Sequence, residues 1–126
     1  MANIAIAGDT SGSVTLQAPA IAGGTVVTLP TTSGTAALTS DIIGVGQTWQ
    51  NVSASRVSGT TYTNNTSKPI MVVVSIYGIN NTATMVVSGI TLGTVNGNYG
   101  GSITGIVPVG STYVVTGGWS YFAELR

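Results

Sequence analysis

The stretch Ile70-Met71-Val72-Val73-Val74-Ser75-Ile76-Tyr77 decides the fold. It is the most apolar segment of the chain and is dominated by β-branched residues, which pack well on a pleated surface. Turn residues bound it on both sides, with Asn65-Thr66-Ser67-Lys68-Pro69 before it and Asn80-Asn81 after it. The segment reads as a central strand. Its near-continuous apolarity predicts burial on both faces, Val73 included. Asn80-Asn81 reads as a hairpin turn.

Outward from this strand the same rhythm repeats. Val45 to Val52 alternates loosely around Trp49, and Thr60 to Asn64 is a short strand. On the other side come Thr82 to Ser88, Ile90 to Val95, Ser102 to Val107, Thr112 to Thr116 and Trp119 to Leu125. Asn96-Gly97-Asn98 and Gly100-Gly101 form a flexible turn. Turn residues recur about every eight to twelve positions, which is the all-β signal. No segment of useful length shows helical periodicity. About eight short strands in residues 44–126 predict an all-β domain, a β-sandwich or jelly roll.

Residues 1–43 have a different texture. Gly12-Ser13-Val14-Thr15-Leu16 is echoed by Gly24-Thr25-Val26-Val27-Thr28-Leu29 and again by Gly34-Thr35-Ala36-Ala37-Leu38. Pro19 and Pro30 follow the first two units. Each unit is one short strand that cannot bury its apolar face alone. The segment reads as an extended N-terminal arm. Fully stretched it reaches roughly 140 Å at about 3.3 Å per residue, an upper limit because turns fold it back.

Composition narrows the function classes. The chain has 126 residues, one domain's worth with little room for a second. Charged residues make up 5%, against about 25% in average soluble domains. Net charge is zero, which promotes self-association, so an oligomer is expected. Nucleic acid is not an expected partner, because Arg56, Lys68 and Arg126 are scattered in the sequence. Membrane insertion is not expected either, since no apolar run approaches about 20 residues. Met1-Ala2-Asn3 lacks the basic start of a secretory signal.

The residues Gly44-Val45-Gly46-Gln47-Thr48-Trp49-Gln50, Thr60-Thr61-Tyr62-Thr63-Asn64 and Lys68-Pro69-Ile70 carry a resemblance. With Val107 to Tyr113 and the closing Trp119 to Leu125, the pattern resembles a small C-terminal module of phage and prophage structural proteins. Gly12 to Pro19 is similar to repeats in phage fibres. Together these stretches span nearly the whole chain. The family occurs most often at the ends of long tail fibres, and the resemblance implies trimers. Here the arm begins at Met1 with no long shaft before it. That economy favours a homotrimeric capsid decoration or cement subunit, or a short head fibre, anchored by its arm. The competing expectation is a receptor-binding tail-fibre or fibre-tip subunit. Either would be a virion protein assembled in bacterial cytoplasm, with major capsid or tail proteins as partners.

Catalysis needs positioned acids, bases or nucleophiles. His and Cys are absent, and the carboxylates are Asp9, Asp41 and Glu124 alone. Asp9 reads as a turn former before Thr10-Ser11-Gly12, Asp41 as the cap of a short turn, and Glu124 as a residue near the chain end beside Arg126. No enzymatic activity, cofactor or metal is therefore expected. Most of the aromatics read as core and subunit interface. Tyr99, in the Gly-rich loop Gly97 to Gly101, is the best candidate for stacking against a host surface glycan, because loops carry binding more often than strands. Asn51, Asn64, Asn65 and Asn80 each begin an Asn-x-Ser/Thr triplet and read as turn or strand-edge residues.

Overall fold

In the computed structural model, residues 3–7, 10–17, 19–21, 23–24, 26, 31–34, 41–78 and 80–126 are described. The chain divides into two compact units, Met1–Thr35 and Ala36–Arg126. The protein is all-β and its sheets are antiparallel.

In the first unit, β1 (Asn3–Ala7) pairs antiparallel with β2 (Ser13–Gln17). The arm thus folds back through Thr10 to Gly12. Ile4 and Ile6 share one side of the ribbon with Leu16, because Ile4 lies opposite Leu16 and strand side chains alternate. All three are exposed. The later arm echoes, at 24–29 and 34–38, fall largely outside the described residues.

Among the described residues the second unit holds eight strands: β3 (Trp49–Asn51), β4 (Thr61–Thr63), β5 (Ile70–Ile76), β6 (Thr82–Val87), β7 (Ile90–Asn96), β8 (Gly101–Val107), β9 (Thr112–Gly117) and β10 (Tyr121–Leu125). They form two four-stranded sheets, β3-β10-β5-β8 and β4-β9-β6-β7. The pairs nest, with β3 on β10, β4 on β9, β5 on β8 and β6 on β7. It is the order of one long hairpin rolled upon itself. The innermost turn, Ser88-Gly89, has φ of 48° and 81°, the positive pair that a tight two-residue hairpin needs.

Inward side chains from both sheets make a single core. One sheet supplies Ile70, Val72, Val74, Ile76, Ile103, Val107 and Phe122, and the other Ala83, Met85, Val87, Tyr113 and Val115. The Trp119 ring meets Phe122 edge-on, centroids 5.2 Å apart.

Two expectations are corrected. The central strand β5 is not buried on both faces. Ile70, Val72, Val74 and Ile76 are buried, whereas Met71, Val73 and Ser75 are half-buried on the opposite side. Val73 therefore does not belong to the core. Nor does Asn80-Asn81 close a hairpin, because β5 and β6 lie in different sheets. The connection crosses the sandwich and is laced to Gly97, whose N–H donates to the Asn81 carbonyl while its own carbonyl accepts from Gly78 N. Gly97 is buried and a Cβ there would stand 2.6 Å from the Gly78 oxygen, so only glycine fits.

Candidate functional site

The alternation of β10 turns Phe122 and Glu124 inward. Glu124 is thereby fully buried. Arg56 reaches it from the β3–β4 connection, where the Val52 carbonyl accepts from both Ser55 N and Arg56 N and bends the chain. Arg56 Nε donates to Oε1 and Nη2 to Oε2, each at 2.8 Å. Arg126 Nη1 donates to Oε2 at 2.6 Å, and the Tyr113 hydroxyl donates to Oε1. Four donors fill the roughly four lone-pair sites of a carboxylate. The Arg56 guanidinium also lies 4.4 Å above the centre of the Tyr62 ring. Burial opposes ionisation of Glu124, but the hydrogen bonds from Arg56 and Tyr113 and the charges of both arginines outweigh it and hold the carboxyl below its ordinary range. Burial, reinforced by the bond to Glu124, pushes the Tyr113 hydroxyl well above its ordinary value.

This cluster ties β10 of one sheet to β4 and β9 of the other and to the β3–β4 connection. With its acceptor sites filled, Glu124 clamps the sandwich and has no lone pair left for an incoming group. The period-2 reading of Tyr121 to Leu125 could have found it, since Glu124 stands two residues from Phe122. Two of the three cations scattered in the sequence, Arg56 and Arg126, meet here. The third, Lys68, donates to the Val45 carbonyl.

Of the other carboxylates, Asp41 is exposed at the start of the turns over 41–46, and Asp9 lies outside the described residues. Asn64 directly follows β4 and opens a turn, the place its sequence setting predicts. It is fully buried, its Nδ2 donating to the carbonyls of Lys68, Val107 and Pro108 and its Oδ1 accepting from Thr66 N and Thr66 Oγ1.

Tyr99 ends the 3₁₀ turn Gly97–Tyr99 and is 93% exposed. Asn98 Oδ1 accepts from Asn80 N at 2.8 Å and steadies this turn. Tyr77 is exposed close by, since a Cβ on Gly100 would lie 3.8 Å from its ring. Tyr121, the first residue of β10, is exposed as well.

The outer face of β3-β10-β5-β8 is largely apolar. Register places Trp49, Leu125, Met71 and Ile106 in one row across its strands. Ala123, Val73 and Thr104 form the next row, with Asn51 beside Ala123, and Tyr121, Ser75 and Ser102 the third. Trp49, Ile106 and Tyr121 are exposed, and Met71, Val73, Ala123 and Leu125 half-buried. The outer face of β4-β9-β6-β7 is instead dominated by threonine: Thr61, Thr63, Thr82, Thr84, Thr94, Thr112 and Thr116. Thr84 and Thr94 share a hydroxyl–hydroxyl hydrogen bond of 2.8 Å across the strands. Comparisons with family models, with curated proteins and with solved structures return no significant match for this chain.

Proposed function

We propose that the protein is a non-enzymatic structural subunit of a bacteriophage particle, homotrimeric, decorating or cementing the capsid and fastened by its N-terminal arm. One observation carries this reading: the β1–β2 ribbon leaves Ile4, Ile6 and Leu16 uncovered on one side. A two-stranded ribbon is marginal in water unless its apolar side is covered. Docking against a neighbouring virion protein supplies that cover with little need for charge, through apolar burial and main-chain pairing at the ribbon edges. The nested strand order of the second unit supports a jelly roll, an architecture that recurs in viral capsid and lectin domains. The filled acceptor sites of Glu124 support a structural role for that carboxylate.

The test deletes residues 2–40 and measures thermal melting and particle binding on the same sample. The truncated chain melts cooperatively and no longer joins particles. Full binding by the truncated chain would sink the fastening role.

A second reading, a receptor-binding fibre tip, is favoured by Tyr99, exposed on a hydrogen-bonded turn beside Tyr77. Under it, Tyr99→Ala lowers attachment of particles to host cells and leaves particle assembly intact. Copy number separates the two readings, with hundreds per particle for the capsid and a few dozen or fewer for the tail.

A further inference from the structure

We propose that the outer face of β3-β10-β5-β8 is the surface through which three copies of this chain associate, each sheet forming one wall around a shared threefold axis. The inference rests on the homotrimeric reading above and gives it a surface.

The row Trp49, Leu125, Met71 and Ile106 crosses all four strands, and Val73 and Ala123 continue it along the two central ones. An exposed apolar patch of several hundred Å² is often a functional surface. What covers it is decided by charge and by shape. In a closed rotational assembly a face near the axis meets copies of itself, so any charge on it confronts its own like. The three outer-face rows contain no charged residue. In the second unit, Arg56 and Arg126 are paired with Glu124, and Lys68 is held by the Val45 carbonyl.

The width of the sheet accommodates three copies. Four strands about 4.8 Å apart make a wall about 19 Å wide, and packed sheets lie about 10 Å apart. Three such walls closed into a triangular prism lie about 5.5 Å from the axis, close to half that packing distance. The side chains of Met71, Val73 and Ala123 then fill the prism. Each wall, with strands of five to seven residues at β10, β5 and β8, has a flat footprint of about 400 Å². Three such footprints together cover about 1,200 Å² around the axis.

The experiment measures the mass of the full chain by sedimentation velocity at matched concentrations. Compared are the wild type, Met71→Glu/Ile106→Glu, and Thr112→Glu/Thr116→Glu, which adds the same charge to the threonine face. The wild type and the threonine-face variant run at three times the chain mass. The Met71/Ile106 variant runs at one third of that mass with its far-ultraviolet strand signal retained. Because the chain has no cysteine, Ala123→Cys in the full chain gives a second readout that does not depend on that variant folding. A short bis-maleimide links it into covalent dimers, while Thr116→Cys is not linked. A wild-type trimer whose Met71/Ile106 variant stays trimeric, or whose Ala123→Cys form is not linked, overturns the assignment of this face alone. A monomeric wild type overturns the homotrimeric reading with it.

Discussion

Toward the core the two sheets of the second unit are alike in being apolar, one turning in valine, isoleucine and Phe122, the other valine, alanine, Met85 and Tyr113. Their outer faces differ. One carries Trp49, Met71, Val73, Ile106 and Leu125, the other a field of threonines with Val86 and Val114 among them. Both satisfy the same β-propensity, since threonine and valine are equally at home on a pleated surface. The threonine hydroxyls can bond water or each other, as Thr84 and Thr94 do. The aliphatic and indole groups gain only by leaving water. The difference teaches that an apolar strand need not be a core strand on both sides, because one side can be kept for another molecule.

Neighbouring residues of β5 give the sharpest way to break that comparison. Val74→Asp places a carboxylate in the core with no partner, at a cost of several kcal/mol. The expected outcome is loss of cooperative unfolding in calorimetry. Val73→Asp, one residue away on the half-buried outer side, keeps a cooperative transition in the second unit and weakens self-association instead. Equal damage from the two would mean that the outer face is core.

Glu124 tests what the two sheets share. Glu124→Gln leaves Arg56 and Arg126 without their counter-charge in a mostly buried site. Breaking a buried ion pair costs about 3–5 kcal/mol, and urea unfolding should show a lowered midpoint with an unchanged slope.

The same carboxylate sets a smaller, pH-dependent effect. Its folded value lies below the ordinary range, whereas in the unfolded chain it titrates at about 4.3. As pH falls, the unfolded chain therefore takes up the proton first. The stabilisation is complete above the unfolded value and is lost as pH falls through the folded one. Melting temperature followed from pH 7 downward should fall more steeply for the wild type than for Glu124→Gln. Parallel curves would remove Glu124 as the source.

The smallest effect belongs to the threonine face. Thr84→Val removes one cross-strand hydroxyl pair, worth about 0.2–1 kcal/mol. Chemical denaturation should show a shift of that size, with the sedimentation coefficient unchanged.

Much of the strand content was legible from alternation and turn residues, because both are local. The segments expected at 60–64, 70–77, 82–88, 90–95, 102–107 and 112–116 all contain strands. Boundaries moved where glycine intervened: Gly44 and Gly46 take φ of 91° and 67° in turns, so the first strand of the second unit begins only at Trp49. Glu124 was legible in principle from its spacing to Phe122. Its partners were not, since Arg56 is 68 residues away in sequence and a spacing says nothing of what a fold brings opposite. The glycines around Tyr99 read as a break between strands, but its nearness to Tyr77 follows from the pairing of Ile76 with Gly101.

By itself the sequence determined that this chain is all-β, poor in charge and built of short strands separated by turns. These properties are written in each residue's neighbours: β-branched side chains favour the pleat, and Gly, Asn and Pro end it. The tertiary structure alone decided which strands pair, which side of β5 faces the core, and where the buried carboxylate finds its four donors. Each depends on residues tens of positions apart meeting across a sheet or across the core. A strand's own residues supply two faces and leave open which face meets the other sheet.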